Sequence, residues 1–260
     1  MPKFAANLSM LFTEHDFLDR FQAAADAGFT AVEFLFPYEF QPDEIAARLT
    51  AADLQLVLHN FPPGNWEAGE RGIAILPDRV AEFRSGVDWA VAYATELGCP
   101  QLNCLAGLAP AGVDPALLRE TLIDNLKYAA ARLEKAGLRL LVEAINIRDM
   151  PGFFLHHSDQ AIAVMDEVGA DNLFLQYDIY HMQVMEGDIA NRLERLLPRI
   201  GHIQIADTPG RHEPGTGELN YPFLFGHLDR IGYDGFVSAE YRPAASTEAG
   251  LDWFAAARVG

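Results

Sequence analysis

Three carboxylates and one carboxamide stand at or near the C-terminal ends of four separate apolar runs. Leu140-Leu141-Val142 ends on Glu143, the run from Leu173 ends on Asp178, Gly235 to Ala239 ends on Glu240, and Gln204 sits inside the run Ile200 to Ala206. Polar groups at the ends of buried strands need partners, because leaving one unpaired costs ~1–3 kcal/mol. Three carboxylates gathered at one place cannot all stay ionised without a cation. Taken singly, each is as well explained by an arginine partner or a helix cap. Four at equivalent positions of consecutive strands point instead to a divalent metal held by Glu143, Asp178, Gln204 and Glu240. All four offer hard oxygen donors, which suits Mg2+ or Mn2+ better than Zn2+.

Such a site has a definite chemistry. A metal that polarises a carbonyl and its neighbouring hydroxyl makes the C–H between them acidic. A glutamate on one face then takes the proton, an enediolate forms, and an acid on the other side returns a proton to the adjacent carbon. Glu143 and Glu240, on the fifth and eighth runs, are placed to flank a substrate as that catalytic pair. The reaction is an isomerisation by proton transfer and needs no redox cofactor. His181, three residues beyond Asp178, is expected to contact a substrate oxygen. Arg148 and Arg211 are candidate binders of a substrate carboxylate, since a guanidinium fits a carboxylate bidentately. His59 and Glu33 end two further runs and point to the same mouth. His156 and His157 read as loop residues flanking a helix.

The elements that must position these residues alternate along the whole chain. Strand-like runs occur at Phe4 to Leu8, Ala31 to Phe36, Leu54 to Leu58, Gln101 to Ala106, Leu138 to Ile145, Leu173 to Asp178, Ile200 to Ala206 and Phe236 to Tyr241. Between them lie helical patterns: one carrying Phe17, Phe21, Ala24 and Ala25 and closed by Gly28, then Pro42 to Ala52, Val80 to Leu97 and Leu117 to Leu133. The remainder are a helix to Val168 with Ser158 as its N-cap, one through Leu197, Tyr221 to Ile231, and Thr247 to Arg258. Eight strands alternating with eight helices predict a single (β/α)8 TIM barrel over residues 1–260, with the site at the C-terminal ends of the strands. A doubly wound open sheet would carry a glycine-rich turn after the first strand; here that turn is Ser9-Met10-Leu11-Phe12. Phe61 to Leu76 is long for a connection and reads either as a lid or as a surface loop with Trp66 packed down on it.

Composition narrows the partners. A net charge of −18 over 260 residues disfavours nucleic acid. No apolar run is long enough to span a membrane, and the N-terminal residues lack the apolar core of a secretory signal, so a cytoplasmic location is the default. The two cysteines, Cys99 and Cys104, are not in a CxxC pair and read as core residues. The sequence leaves homo-oligomerisation open.

The stretches Val142-Glu143-Ala144-Ile145-Asn146-Ile147-Arg148-Asp149-Met150-Pro151-Gly152, Gln176-Tyr177-Asp178-Ile179-Tyr180-His181-Met182-Gln183 and His202 to Asp207, continued by Arg211 to Tyr221, resemble the bacterial hydroxypyruvate isomerases. The opening Phe4 to Phe12 and the ending Ala239-Glu240-Tyr241-Arg242-Pro243 match too. The broader group is the xylose-isomerase-like barrel superfamily, with sugar 3-epimerases and 2-oxotetronate isomerases as near relatives. The resemblance implies a small keto-acid substrate, interconversion of hydroxypyruvate and tartronate semialdehyde, a place in glyoxylate metabolism, Glu143 and Glu240 as the proton-transfer pair, and metal binding by both with Asp178 and Gln204. Sugar 3-epimerases usually carry histidine where Gln204 stands, which argues against epimerisation; Ala144 stands where many hydroxypyruvate isomerases have proline, which bears on substrate preference. A larger sugar or sugar acid is the alternative substrate, as for a 2-oxotetronate isomerase or a ketose 3-epimerase. A non-catalytic ligand-binding barrel is a further reading. A DNA-repair nuclease would want several zinc ions, clustered histidines and a basic face, whereas the eight histidines here are scattered.

Overall fold

The alternation of apolar runs closes into a ring. The computed structural model describes residues 2–259, so Met1 and Gly260 lie outside it. Eight parallel strands pair in sequence order to form a closed barrel: β1 (Lys3–Asn7), β2 (Ala31–Glu33), β3 (Gln55–Asn60), β4 (Gln101–Cys104), β5 (Arg139–Glu143), β6 (Leu173–Asp178), β7 (Ile200–Ile205) and β8 (Phe236–Ala239). Around it run α1 (Arg20–Asp26), α2 (Pro42–Ala51), α3 (Val80–Leu97), α4 (Pro115–Lys135), α5 (Ser158–Val168), α6 (Ile179–Met185), α7 (Ile189–Leu196), α8 (Tyr221–Ile231) and α9 (Asp252–Val259).

Three details differ from the pattern in the sequence. The segment before β7 is two helices, because Gly187 and Asp188 both take positive φ and break the run. The cap of α5 is His157; Ser158 is the first helical residue, and its hydroxyl donates to Glu186. Strand β8 stops at Ala239, and Glu240 follows it, still tied to the neighbouring strand by its N–H to the Ile205 carbonyl (3.0 Å).

Side chains alternate across each strand, so residues two apart share a face. Ala5, Ala31 and Leu141 form one small apolar cluster with Val57 and Leu58, and Phe174 and Phe236 pack against it. Two residues further along the same strands stand Asn7, Glu33, Glu143, Gln176 and Ser238, all buried. The barrel interior is therefore layered, with an apolar plug at the N-terminal end and a polar storey above it. Lys3 and Arg139 lie over the Phe236 and Phe174 rings at the plugged end. The main core lies between the strands and the helices.

Candidate active site

Above the polar storey opens a cavity of about 630 Å3, with Glu143, His181, Arg211, Glu240 and Arg242 on its wall together with Asn60, Trp66 and the residues after β1. Trp66 packs down from the long loop after β3, its ring 4.9 Å from Phe36 and beneath the Arg71 guanidinium at 4.0 Å.

Six of the sequence-selected residues, Glu143, Asp178, His181, Gln204, Arg211 and Glu240, meet through hydrogen bonds and ion pairs. Asp178 ends β6 and caps α6, its Oδ1 accepting from the backbone N–H of Tyr180 (2.7 Å) and His181 (3.2 Å). Its other oxygen, Oδ2, is buried without a hydrogen-bond partner among the described residues. It lies 3.4 Å from His181 Nε2 and 3.6 Å from the Arg211 guanidinium. His181 Nε2 is in turn 3.8 Å from Glu143 Oε1, and Arg211 Nη2 is 2.5 Å from Glu240 Oε2. Gln204 Nε2 donates to Glu240 Oε1 at 3.3 Å, and Asn103 Nδ2 donates to Glu143 Oε2 at 3.1 Å.

Burial raises Glu143 well above the ordinary carboxylate range, with the charges of Glu240 and Asp178 adding to it. Burial likewise pushes Glu240 up to about 8 against the opposing pull of Arg211. Crowded carboxyls of this kind accept a proton or a cation readily. The orphaned Asp178 Oδ2 and the Glu143 carboxylate lie close enough together to share a metal ion, with His181 Nε2 beside them. Glu240 is joined to Asp178 through the shared Arg211 guanidinium, and Gln204 lies opposite Asp178 in the β6–β7 register, so the carboxylates gathered here fit a divalent cation.

The His181 ring has a fixed tautomer. Asn146 Oδ1 accepts from the Asp149 N–H (2.7 Å), so its amide nitrogen is the end that faces His181 Nδ1 at 2.7 Å. Nδ1 must then accept, and burial holds the ring neutral, with its pKa lowered to about 4. The ring proton is on Nε2, which makes His181 a hydrogen-bond donor into the cavity.

Arg211 reaches the site on a Pro/Gly-rich loop. Its backbone takes φ 55° and its carbonyl accepts from the Arg242 N–H (2.8 Å). The loop is wound around Asp207, whose carboxylate accepts from the N–H groups of Thr208, Gly215, Gly217 and Leu219 at 2.9–3.0 Å. A Cβ at Gly217 would meet the Thr208 carbonyl oxygen at 1.8 Å, so the closure requires glycine.

Two residues selected from the sequence are placed elsewhere. Arg148 is exposed in the turn after β5 and is not part of the cavity wall; Arg242 is the second guanidinium there. His59 is fully buried but faces the helical layer, its ring against Phe34, Tyr38 and Tyr93, and Asn60 takes the inward position. A register shift opposite Val32 and Glu33 in the β2–β3 pairing accounts for this, because one extra residue reverses which side chains point inward.

Glu33 does point inward, but one storey below the cavity. Its Oε2 lies 2.6 Å from His202 Nε2, and its Oε1 accepts from Asn7 Nδ2 (2.8 Å) and Gln204 Nε2 (2.7 Å). Burial alone would raise Glu33, but His202 and the other donors outweigh it and lower the pKa. Asn7, Asn103, Asn146, Gln176 and His202 were not among the residues selected from the sequence. Their signal was a polar residue within, or just past the end of, an otherwise apolar strand.

A closed parallel barrel with buried carboxylates gathered at the C-terminal ends of its strands is the architecture of the xylose isomerase-like barrels. The sequence matches the xylose isomerase-like TIM barrel family over residues 21–257, and the chain belongs to that family. It is 54% identical over 253 residues to the 2-oxo-tetronate isomerase of Cupriavidus necator, covering 97% of each chain. To the hydroxypyruvate isomerase of Escherichia coli it is 51% identical, covering 97% of this chain and 98% of that one. A crystal structure of an AP endonuclease, family 2, from Brucella melitensis superposes with a TM-score of 0.96 at 48% identity, covering 98% of this chain and 99% of that one.

Proposed function

We propose that this isomerase interconverts hydroxypyruvate and tartronate semialdehyde by moving a proton between adjacent carbons. The observation that carries the reading is the pair of buried glutamates, Glu143 and Glu240, on the wall of one cavity, both held above the ordinary carboxylate range. With such values one carboxyl can carry a proton while the other is free to accept one. One glutamate takes the proton from the hydroxyl-bearing C3, and the C3–H electrons form the C2–C3 double bond as the C2 carbonyl becomes an oxyanion. The C3 hydroxyl then passes its proton to the C2 oxyanion, C3 becomes the carbonyl, and the other glutamate delivers a proton to C2. His181 Nε2–H donates to a substrate oxygen and steadies the charge there. Arg211 and Arg242 offer guanidinium groups to the substrate carboxylate.

Glu143, Asp178, Gln204 and Glu240 would hold a divalent ion such as Mg2+ or Mn2+, with His181 beside them. When bound, the ion would polarise the substrate's carbonyl and hydroxyl oxygens and make the intervening C–H more acidic. A four-carbon acid is the second reading. The 54% identical relative is named a 2-oxo-tetronate isomerase, and a cavity of about 630 Å3 has room for one more hydroxymethyl carbon. The endonuclease name borne by the Brucella neighbour does not carry over, since a net charge of −18 repels a phosphate backbone.

Proton NMR in D2O tests the proposal. With Mn2+ or Mg2+ and hydroxypyruvate, tartronate semialdehyde should accumulate, and Glu240→Gln should abolish turnover while its circular dichroism stays unchanged. Turnover of 2-oxotetronate alone would move the substrate to the second reading. An active Glu240→Gln variant would sink the mechanism.

A further inference from the structure

A carboxamide is an ambiguous ligand. Its oxygen attracts a cation and its NH2 repels one, and the two ends have nearly the same shape. Gln204 has both ends buried in a polar environment, so something must decide which end faces where. Its Nε2 lies 2.7 Å from Glu33 Oε1 and 3.3 Å from Glu240 Oε1. An ionised carboxylate oxygen only accepts, so the NH2 is the end that can occupy that position. Asn7 repeats the arrangement, its Nδ2 donating to the same two oxygens at 2.8 and 3.2 Å. Gln204 Oε1 is thereby turned toward Gln176 on β6, whose Nε2 donates to it at 2.7 Å two residues before Asp178 on the same strand. Glu240 belongs to the reaction, but Glu33 has no contact with the cavity. It is fully buried, and the partner that offsets its burial is His202, 1% exposed, on β7.

We infer that Glu33 is a positioning residue: seated on His202, it locks the Gln204 amide with its oxygen on Gln176 and its NH2 bridging Glu33 and Glu240, and so fixes how the carboxamide lies beside Glu240, where a divalent cation would be held. The inference rests on the metal reading above for its consequence, but the lock itself does not. If Glu33 becomes a carboxamide, its own end is ambiguous. The Gln204 amide can then turn over, exchanging its oxygen and NH2 between Gln176 and the glutamates beside the cation site. Residues one step behind metal ligands commonly change metal affinity 10–100-fold when altered.

Glu33→Gln keeps the size of the side chain and removes its charge and its obligatory acceptor. Two readouts separate the lock from the metal. In 1H–15N spectra of the metal-free protein, the Gln204 side-chain amide should be a sharp, exchange-protected pair, and in Glu33→Gln it should broaden or exchange. In a titration with Mn2+ alone, followed by the EPR signal of the free ion, Glu33→Gln should bind at least about tenfold more weakly than the parent. Glu33→Asp, which keeps the acceptor, should recover part of both effects and serves if Glu33→Gln fails to fold. An unchanged Gln204 amide together with parental Mn2+ affinity in a folded Glu33→Gln would overturn the inference. A parent protein that binds no Mn2+ would overturn the metal reading, and the amide spectra would still decide the lock.

Discussion

Asn146 decides what His181 can do. Its amide is pinned by the Asp149 N–H, so it offers a proton to Nδ1 and leaves the histidine with its proton on the cavity side. Replacing Asn146 by Ala frees the ring to choose the other tautomer, and a ring with bare Nε2 cannot donate to a substrate oxygen. We expect kcat to fall about tenfold, the cost of one hydrogen bond of roughly 1.4 kcal/mol. The 15N shifts of His181 would report the tautomer directly, and unchanged shifts would exclude this role. The four residues Glu143, Asp178, Gln204 and Glu240 were legible in the sequence because strand ends are where barrel chemistry gathers. Asn146 was not, since its importance comes from a loop turning back onto α6, and nothing local in Ile145-Asn146-Ile147 records that.

At the scale of elements, the loop from Asp207 to Leu219 is a single buried carboxylate wrapped in backbone. Four N–H groups converge on it. Asp207→Ala would leave them to find water or go unpaired, at ~1–3 kcal/mol for each that stays buried. The barrel ring does not depend on these bonds. The expected outcome is a folded protein with a lowered melting temperature and a loss of turnover far larger than the stability change, because Arg211 and Arg242 are carried by this loop and the segment pinned to it. Activity close to the parent's would show that the loop's geometry is dispensable. The strands themselves were readable from apolar runs, and so was the closed order. The inward set at β3 was not, because the irregular β2–β3 register exchanges His59 for Asn60. A period-two pattern cannot reveal its own slips.

The whole molecule carries this misread residue as a feature of its acid stability. Burial among aromatic rings pushes His59 down to about 4 from 6.5. Because the folded value lies below the unfolded one, the unfolded chain takes up the proton first as the solution is acidified. Stability is full above about 6.5, falls as the pH drops toward about 4, and levels off below, by roughly 3 kcal/mol for a shift of that size. His181 titrates in the same window with the same sign, while the raised glutamates act in the opposite sense. The difference between the parent and His59→Phe therefore isolates one ring. The parent's urea midpoint should fall relative to that of His59→Phe between pH 7 and pH 4.5, and an equal difference at both would contradict the shift.

The apolar plug of Ala5, Ala31, Val57, Leu58 and Leu141 makes the barrel a cup with one rim. Traffic is consequently two-way through a single doorway. A product molecule must leave before a substrate molecule can enter, and neither can wait behind the other. Product should then act as a purely competitive inhibitor of the forward reaction, raising the apparent KM while leaving kcat untouched in initial-rate measurements.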